Sequence, residues 1–144
     1  MSDTGHTLDL SVVVPVYDEK ENLERLVEEL EQALQTLGLR HEILLLDDGS
    51  RDGSSELIAS MARSQEAVRG LYFRENAGQT AALDAGFKHA RGRFVVTLDA
   101  DLQNDPADIA SLLDESAKSG SMGSRGGTTR RRPEAARPPG ASVW

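Results

Sequence analysis

The stretch Leu10–Gly38, LSVVVPVYDEKENLERLVEELEQALQTLG, decides how the rest of the chain is read. Its first seven residues, Leu10 to Val16, form a nearly continuous apolar run rich in β-branched side chains. That is the pattern of a short strand buried on both faces. Asp18 reads as a helix N-cap, with Glu21 three residues on as its capping-box partner. Leu23, Leu26, Val27, Leu30, Ala33, Leu34 and Leu37 then recur at helical spacing, and Gly38 supplies a stop. The unit is a strand followed by an amphipathic helix.

The same alternation continues outward. Glu42 to Leu46 is a second apolar strand, and Asp47-Asp48-Gly49-Ser50 turns the chain into a helix over 54–64 with Leu57, Ile58 and Met61 on its inner face. Val68 to Phe73 is a third strand. Asn76-Ala77-Gly78 leads into a helix from Gln79 to Ala90, closed by Gly92. Arg93 to Leu98 is a fourth strand, and Pro106 suits the first position of a helix reaching Lys118. Strands alternating with helices of this length imply parallel βαβ units, right-handed crossovers and helices on both faces of one sheet.

The totals narrow the class. A chain of 144 residues is long enough for one compact core. It contains no cysteine, which removes disulfides and zinc–thiolate sites and fits a reducing compartment. Met1 to Leu8 lacks the basic-then-apolar pattern of a signal peptide. No apolar run approaches the roughly 20 residues of a membrane helix. The expected location is the cytoplasm, with peripheral attachment at the cytoplasmic membrane face as a further option. The formal charge of −8 is uneven: residues 1–118 carry a net −12 and residues 119–144 a net +4. An acidic body is a poor match for nucleic acid, whose phosphates supply most of the affinity for basic partners.

In open parallel sheets, ligands bind beyond the carboxyl ends of the strands. The polar residues of this chain collect there: Tyr17-Asp18-Glu19, Asp47-Asp48, Asn76-Ala77-Gly78 and Asp99-Ala100-Asp101 follow the four strands in turn. Turn composition explains some of this, since Asp, Asn and Gly favour turns. Carboxylates at three of the four ends call for a cation or ligand donors, because like charges on one rim repel. Asp99-x-Asp101-x-Gln103 is the sharpest feature. Alternate residues leaving a strand point to one side, and these hard oxygen donors suit Mg²⁺ or Mn²⁺. The plainer reading is a helix-capping loop with Asp105 ahead of Pro106.

Other motif assignments fail. A calcium-binding EF-hand loop counted from Asp99 needs Gly and Glu where Asn104 and Ala110 stand. A G-x-G-x-x-G dinucleotide fingerprint is absent after the first strand, where Pro15-Val16-Tyr17-Asp18 stands instead. Tyr17 is the natural base-stacking residue. Asp48 can accept hydrogen bonds from a base or ribose, leaving Asp47 to orient the turn. Asn76 and Gly78 open a helix whose N-terminal amides suit phosphate.

Together VVVPVYDEKENL, LLLDDGSRDGS, FRENAGQTAALDAGFKHARG and VVTLDADLQNDP resemble the family 2 glycosyltransferases. The likeness is to the polyprenyl-phosphate branch, that is, dolichol-phosphate mannosyltransferases and undecaprenyl-phosphate glycosyltransferases. It covers about Leu10 to Lys118, residues 1–118 being the nucleotide-sugar-binding half of the domain. The resemblance implies an α/β GT-A fold, Rossmann-like, with a mostly parallel sheet. It also implies inverting, metal-dependent transfer of a sugar from a GDP- or UDP-sugar to a polyprenyl phosphate. By position, Pro15, Tyr17 and Glu19 match base and ribose contacts, Asp48 a base contact, and Asp99 and Ala100 donor contacts. Asp101 and Gln103 match the metal ligands, Asp101 being the catalytic member. The acceptor phosphate is already ionised at neutral pH, so a dedicated general base is less necessary.

Ser119 to Trp144 departs from that pattern. The segment is rich in Gly, Arg, Pro and Ala, has no apolar periodicity, and is expected to be disordered. A shifted reading frame in a GC-rich gene would produce such a change. Nucleotide sequence past codon 118 decides this, since a lack of acceptor-half motifs in both other frames would sink the idea. An incomplete domain predicts an open sheet edge and self-association through it. The alternative function is a non-catalytic fragment with at most nucleotide-sugar and metal binding. A haloacid-dehalogenase-like phosphatase using Asp99 and Asp101 is disfavoured, because its Asp-x-Asp follows the first strand and here the motif follows the fourth.

Overall fold

The computed structural model describes residues 8–100 and the backbone of 128–131. Strand β1 (Leu8–Val16) is followed by helix α1 (Lys20–Leu37), β2 (His41–Asp47), α2 (Ser54–Ser64), β3 (Val68–Tyr72), α3 (Gln79–His89), β4 (Gly92–Thr97) and β5 (Thr128–Arg131). The sheet order is β3-β2-β1-β4-β5. The first four strands are mutually parallel, as the alternation of elements predicts, and β5 runs antiparallel to β4.

Period-two alternation distributes the strand residues to two faces. Leu10, Val12, Val14 and Val16 of β1, with Ile43 and Leu45 of β2, meet Leu23, Leu26, Val27, Leu30 and Leu34 of α1 and Ile58 and Met61 of α2. Val13, Leu44, Leu46 and Val95 face the other way, against Ala82 and Ala90 and the partly buried Leu83 and Phe87 of the α3 segment. So α1 and α2 cover one face and α3 the other. Close approach of α3 depends on Gly86, where a Cβ would collide with a Val13 methyl.

Three sequence expectations are corrected. Asp18 does not cap α1: the helix starts two residues later, and its flanking Glu19 makes no capping bond through its side chain. The Asp18 carboxylate instead accepts from the Arg51 amide at 2.8 Å, and Asp52 of the neighbouring loop accepts from the Lys20 amide at 3.1 Å. The cap comes from across the rim rather than from the preceding residue. Second, residues 128–131 of the tail are ordered as β5, in register from Phe94↔Arg131 to Thr97↔Thr128. Backbone pairing on an available strand edge needs no apolar period, which is why composition missed it. The edge of β4 is therefore paired. Third, α3 ends at His89, one residue short of the expected span. The helix expected from Pro106 to Lys118 and the rest of the tail lie outside the described residues.

At the amino ends of the strands sits a buried polar knot. Glu42, 3 % exposed, accepts from the Ser11 hydroxyl at 2.6 Å, the Arg69 guanidinium at 2.6 Å and the Arg91 amide at 2.7 Å. Ser11 Oγ in turn accepts from the Gly92 amide at 2.7 Å. The knot ties β1, β2 and β3 to the turn between α3 and β4.

Candidate donor-nucleotide site

The strand order reverses between β1 and β4, and the crevice beyond their carboxyl ends is where open α/β sheets bind ligands. The local cause of the crevice is Pro15. In β1, Val13 faces β4, its carbonyl accepting from the Leu98 amide at 3.1 Å, while the Val16 carbonyl accepts on the β2 side from the Asp48 amide at 2.8 Å. Pro15 shares Val13's side and has no N–H to donate. The β1–β4 register accordingly ends at Val13↔Thr97. Beyond the Leu98 amide, Asp99 and Ala100 leave the ladder and open a pocket of about 300 Å³ lined by Pro15, Val16, Tyr17, Glu19, Asp48, Gln79, Asp99 and Ala100.

Six residues singled out in the sequence therefore converge: Pro15, Tyr17, Glu19, Asp48, Asp99 and Ala100. Tyr17 is 47 % exposed and presents its ring at the rim. Asn76 and Gly78 do not line the pocket. They bind Asp48, whose carboxylate is almost fully buried. Asp48 Oδ1 accepts from the Ala77 amide at 2.7 Å, and Oδ2 accepts from the Gly78 amide and the Asn76 side-chain amide, each at 3.1 Å. The Gly78 amide, expected to suit phosphate, is thus already directed at a carboxylate. Asp47 orients the turn as expected, accepting from the Ser50 amide at 3.2 Å. Asp101 and Gln103 lie outside the described residues.

Gln79 was not foreseen. As the first residue of α3 it lines the pocket, and its side-chain amide donates to Asp99 Oδ1 at 3.4 Å. Its sequence signal was its position directly after Gly78, overlooked because glutamine carries no charge to attract notice. The loops around the pocket also clasp one another. The Asp18 amide donates to the Ser50 hydroxyl at 2.9 Å, with Asp18 itself at φ 52°, a left-handed conformation that Asp tolerates better than most residues. Asp52 joins the clasp: the hydroxyl of Ser54 holds its carboxyl below the ordinary value of 3.8, and with help from the Lys20 and Ser54 amides it outweighs the opposing effect of burial.

A larger cavity, about 1080 Å³, lies at the opposite end of the sheet, lined by Glu24, Glu28, Glu31, His41, Glu66 and other residues. We assign the chemistry to the smaller one, because it stands at the carboxyl ends of β1 and β4, where the strand order reverses. Among the described residues no group of three or more His, Cys, Asp or Glu could hold a metal ion. None of their helices is long and apolar enough to cross a membrane.

The sequence profile of Glycosyl transferase family 2 matches residues 11–139. The chain belongs to that family. The match passes Lys118, where the motif likeness ended. Among curated relatives, this family 2 chain is 47 % identical over 115 residues to undecaprenyl-phosphate 4-deoxy-4-formamido-L-arabinose transferase of Pseudomonas paraeruginosa, covering 78 % of this chain and 34 % of that protein. The transferase of the same name from Salmonella paratyphi B is 42 % identical over 114 residues, covering 78 % of this chain and 35 % of that one. The chain thus spans about a third of the length of these relatives.

Solved structures agree on the fold. The mannosyltransferase PcManGT from Pyrobaculum calidifontis, in complex with GDP-Man and Mn²⁺, superposes with a TM-score of 0.69 at 24 % identity, covering 83 % of this chain and 35 % of that one. S. aureus TarS 1-349 in complex with UDP-GlcNAc gives 0.57 at 21 % identity, covering 76 % and 32 %. The architecture is the GT-A fold of glycosyltransferases, of which this chain contains a part.

Proposed function

We propose that this family 2 chain provides the donor site of a transferase that moves a sugar from a nucleoside diphosphate to a polyprenyl phosphate at the cytoplasmic membrane face. The observation that carries the reading is the convergence of Tyr17, Glu19, Asp48 and Asp99 on one pocket at the reversal of strand order. Tyr17 offers a face for the base, Glu19 and Asp48 offer acceptors for base or ribose N–H and O–H groups, and Asp99 with Ala100 lines the diphosphate end. The curated relatives, named as undecaprenyl-phosphate transferases, support the acceptor class.

Divalent metal fits the chemistry of the donor set. Asp99 brings a carboxylate to the pocket, and Asp101 and Gln103 follow it with further hard oxygen donors, the set that Mg²⁺ or Mn²⁺ prefers. When bound, such an ion neutralises charge on the departing nucleoside diphosphate. PcManGT, in complex with Mn²⁺, supports the assignment.

Titration calorimetry with UDP and GDP, with and without Mn²⁺ or Mg²⁺, tests the reading. Binding that requires the cation and disappears in Asp101→Ala is expected; no binding of either nucleotide at any cation concentration overturns it. Binding without transfer in a polyprenyl-phosphate assay would favour the second reading, a donor-binding fragment, which the partial coverage of the relatives motivates. Self-association through the β3 edge predicts a concentration-dependent size in solution.

A further inference from the structure

We propose that Asp48 serves this pocket chiefly as a positioning residue: its buried carboxylate latches the Asn76–Gly78 segment and so presents Gln79 to Asp99 across the pocket. The inference rests on the donor-site reading and deepens it. Position alone would make Asp48 a simple ligand contact. The geometry assigns most of its hydrogen-bonding capacity elsewhere.

A carboxylate offers about four acceptor positions, two on each oxygen. Three are taken on Asp48 among the described residues: Ala77 N–H on Oδ1, and Gly78 N–H and the Asn76 amide on Oδ2. The Asn76 amide also donates to the Asp48 carbonyl at 3.1 Å, so the segment is gripped by main chain and side chain together. These bonds cross 28 to 30 residues of sequence and join the end of β2 to the start of α3. A buried carboxylate without such donors would be strongly disfavoured, so the latch and the burial of Asp48 require each other.

The next residue is Gln79. With Gly78 held at φ 101°, which favours glycine, the chain turns sharply into α3 and sets the Gln79 amide 3.4 Å from Asp99 Oδ1. In sequence, Asp99 stands two residues before Asp101. The latch therefore couples one wall of the pocket to the other. Among the described residues it leaves one acceptor position, on Oδ1, for a ligand N–H.

Asn76→Ala separates positioning from contact, because Asn76 touches Asp48 and does not line the pocket. In the full chain, nucleoside diphosphate affinity with Mn²⁺ is measured beside amide exchange at Ala77 and Gly78 and at the core strand residue Val13. We expect Asn76→Ala to weaken UDP binding by about tenfold, the equivalent of one hydrogen bond to a charged group. Exchange at Ala77 and Gly78 should accelerate while Val13 stays protected, a pattern that general destabilisation would not give. Gln79→Ala should reproduce the affinity loss with the latch amides still protected, and Gln79→Asn should not restore it. If Asn76→Ala binds UDP like wild type while Asp48→Ala does not, Asp48 is a direct contact only and the proposal is overturned alone. If the wild-type chain binds no nucleotide, the donor-site reading falls and takes this one with it.

Discussion

Gly49 lies so close to Asn76 that a Cβ built on it would overlap the Asn76 backbone nitrogen. Gly49 also holds φ 74°, in the left-handed region. Two independent constraints thus exclude a side chain at the tip of the turn after β2. Gly49→Ala is expected to cost about 1–3 kcal/mol, from left-handed strain and from displacement of the Asn76 segment. Urea denaturation reads the stability loss. Nucleotide affinity should fall further than in a surface variant of matched stability, since the displaced segment carries the Asp48 latch.

The single acceptor position that the described residues leave on Asp48 bears on the choice of base. Uracil presents one imide N–H, flanked by carbonyls, whereas guanine presents adjacent N1–H and N2–H groups that call for both carboxylate oxygens. UDP is expected to bind more tightly than GDP, by about tenfold if one mismatched hydrogen bond separates them. Competitive titration of the two nucleotides checks this. Equal affinities would mean that Asp48 does not read the base.

The knot around Glu42 predicts a different kind of loss. Glu42→Ala removes the acceptor for Ser11, Arg69 and the Arg91 amide at once. Breaking a fully buried ion pair costs roughly 3–5 kcal/mol, but the Arg69 side chain is 27 % exposed and can recover water, so about 2–3 kcal/mol is expected. Chemical denaturation measures it. Nucleotide binding at 25 °C should survive, because the knot lies at the far end of the strands from the pocket.

Asp52 gives the loops a pH dependence of known sign. Its folded-state carboxyl lies below the ordinary value of 3.8, with the Ser54 hydroxyl as the largest cause. A depressed acid stabilises the fold above its unfolded-state value and loses that contribution as pH falls through the folded one. The melting temperature of wild type should therefore exceed that of Asp52→Asn at pH 7, and the gap should close below about pH 4. A gap unchanged between pH 7 and pH 3 would falsify the assignment.

Strands and helices were legible because their signals are local. The runs Leu10–Val16 and Glu42–Leu46 and the spacing from Leu23 to Leu37 each carry their own period, and the structure follows them within a few residues at each end. Rim residues were legible as a group because parallel strands bring their carboxyl ends together whatever the loops do. The hidden parts depend on partners far along the chain. Asp18 has the composition of a cap, yet its partners are Ser50 and Arg51, 32 and 33 residues later. Asp48 reads as a ligand contact until the donors of Ala77 and Gly78 are in view. Glu42 sits at the head of an apolar run, and nothing local announces Arg69 as its counter-ion. For β5 the cue is the edge of β4 rather than anything in Thr128–Arg131 itself.

The interlocking of the rim loops has a thermodynamic consequence. Asp18 with Ser50 and Arg51, Lys20 with Asp52, and Asp48 with Asn76 to Gly78 fasten three successive loops to one another. Their conformational freedom is surrendered when the chain folds, not when a ligand arrives. Ordering an immobilised side chain on association costs about 0.5–1.5 kcal/mol, and this wall is spared much of that. A nucleotide should meet this side of its pocket already set, with association limited by encounter and little reorganisation enthalpy from these loops.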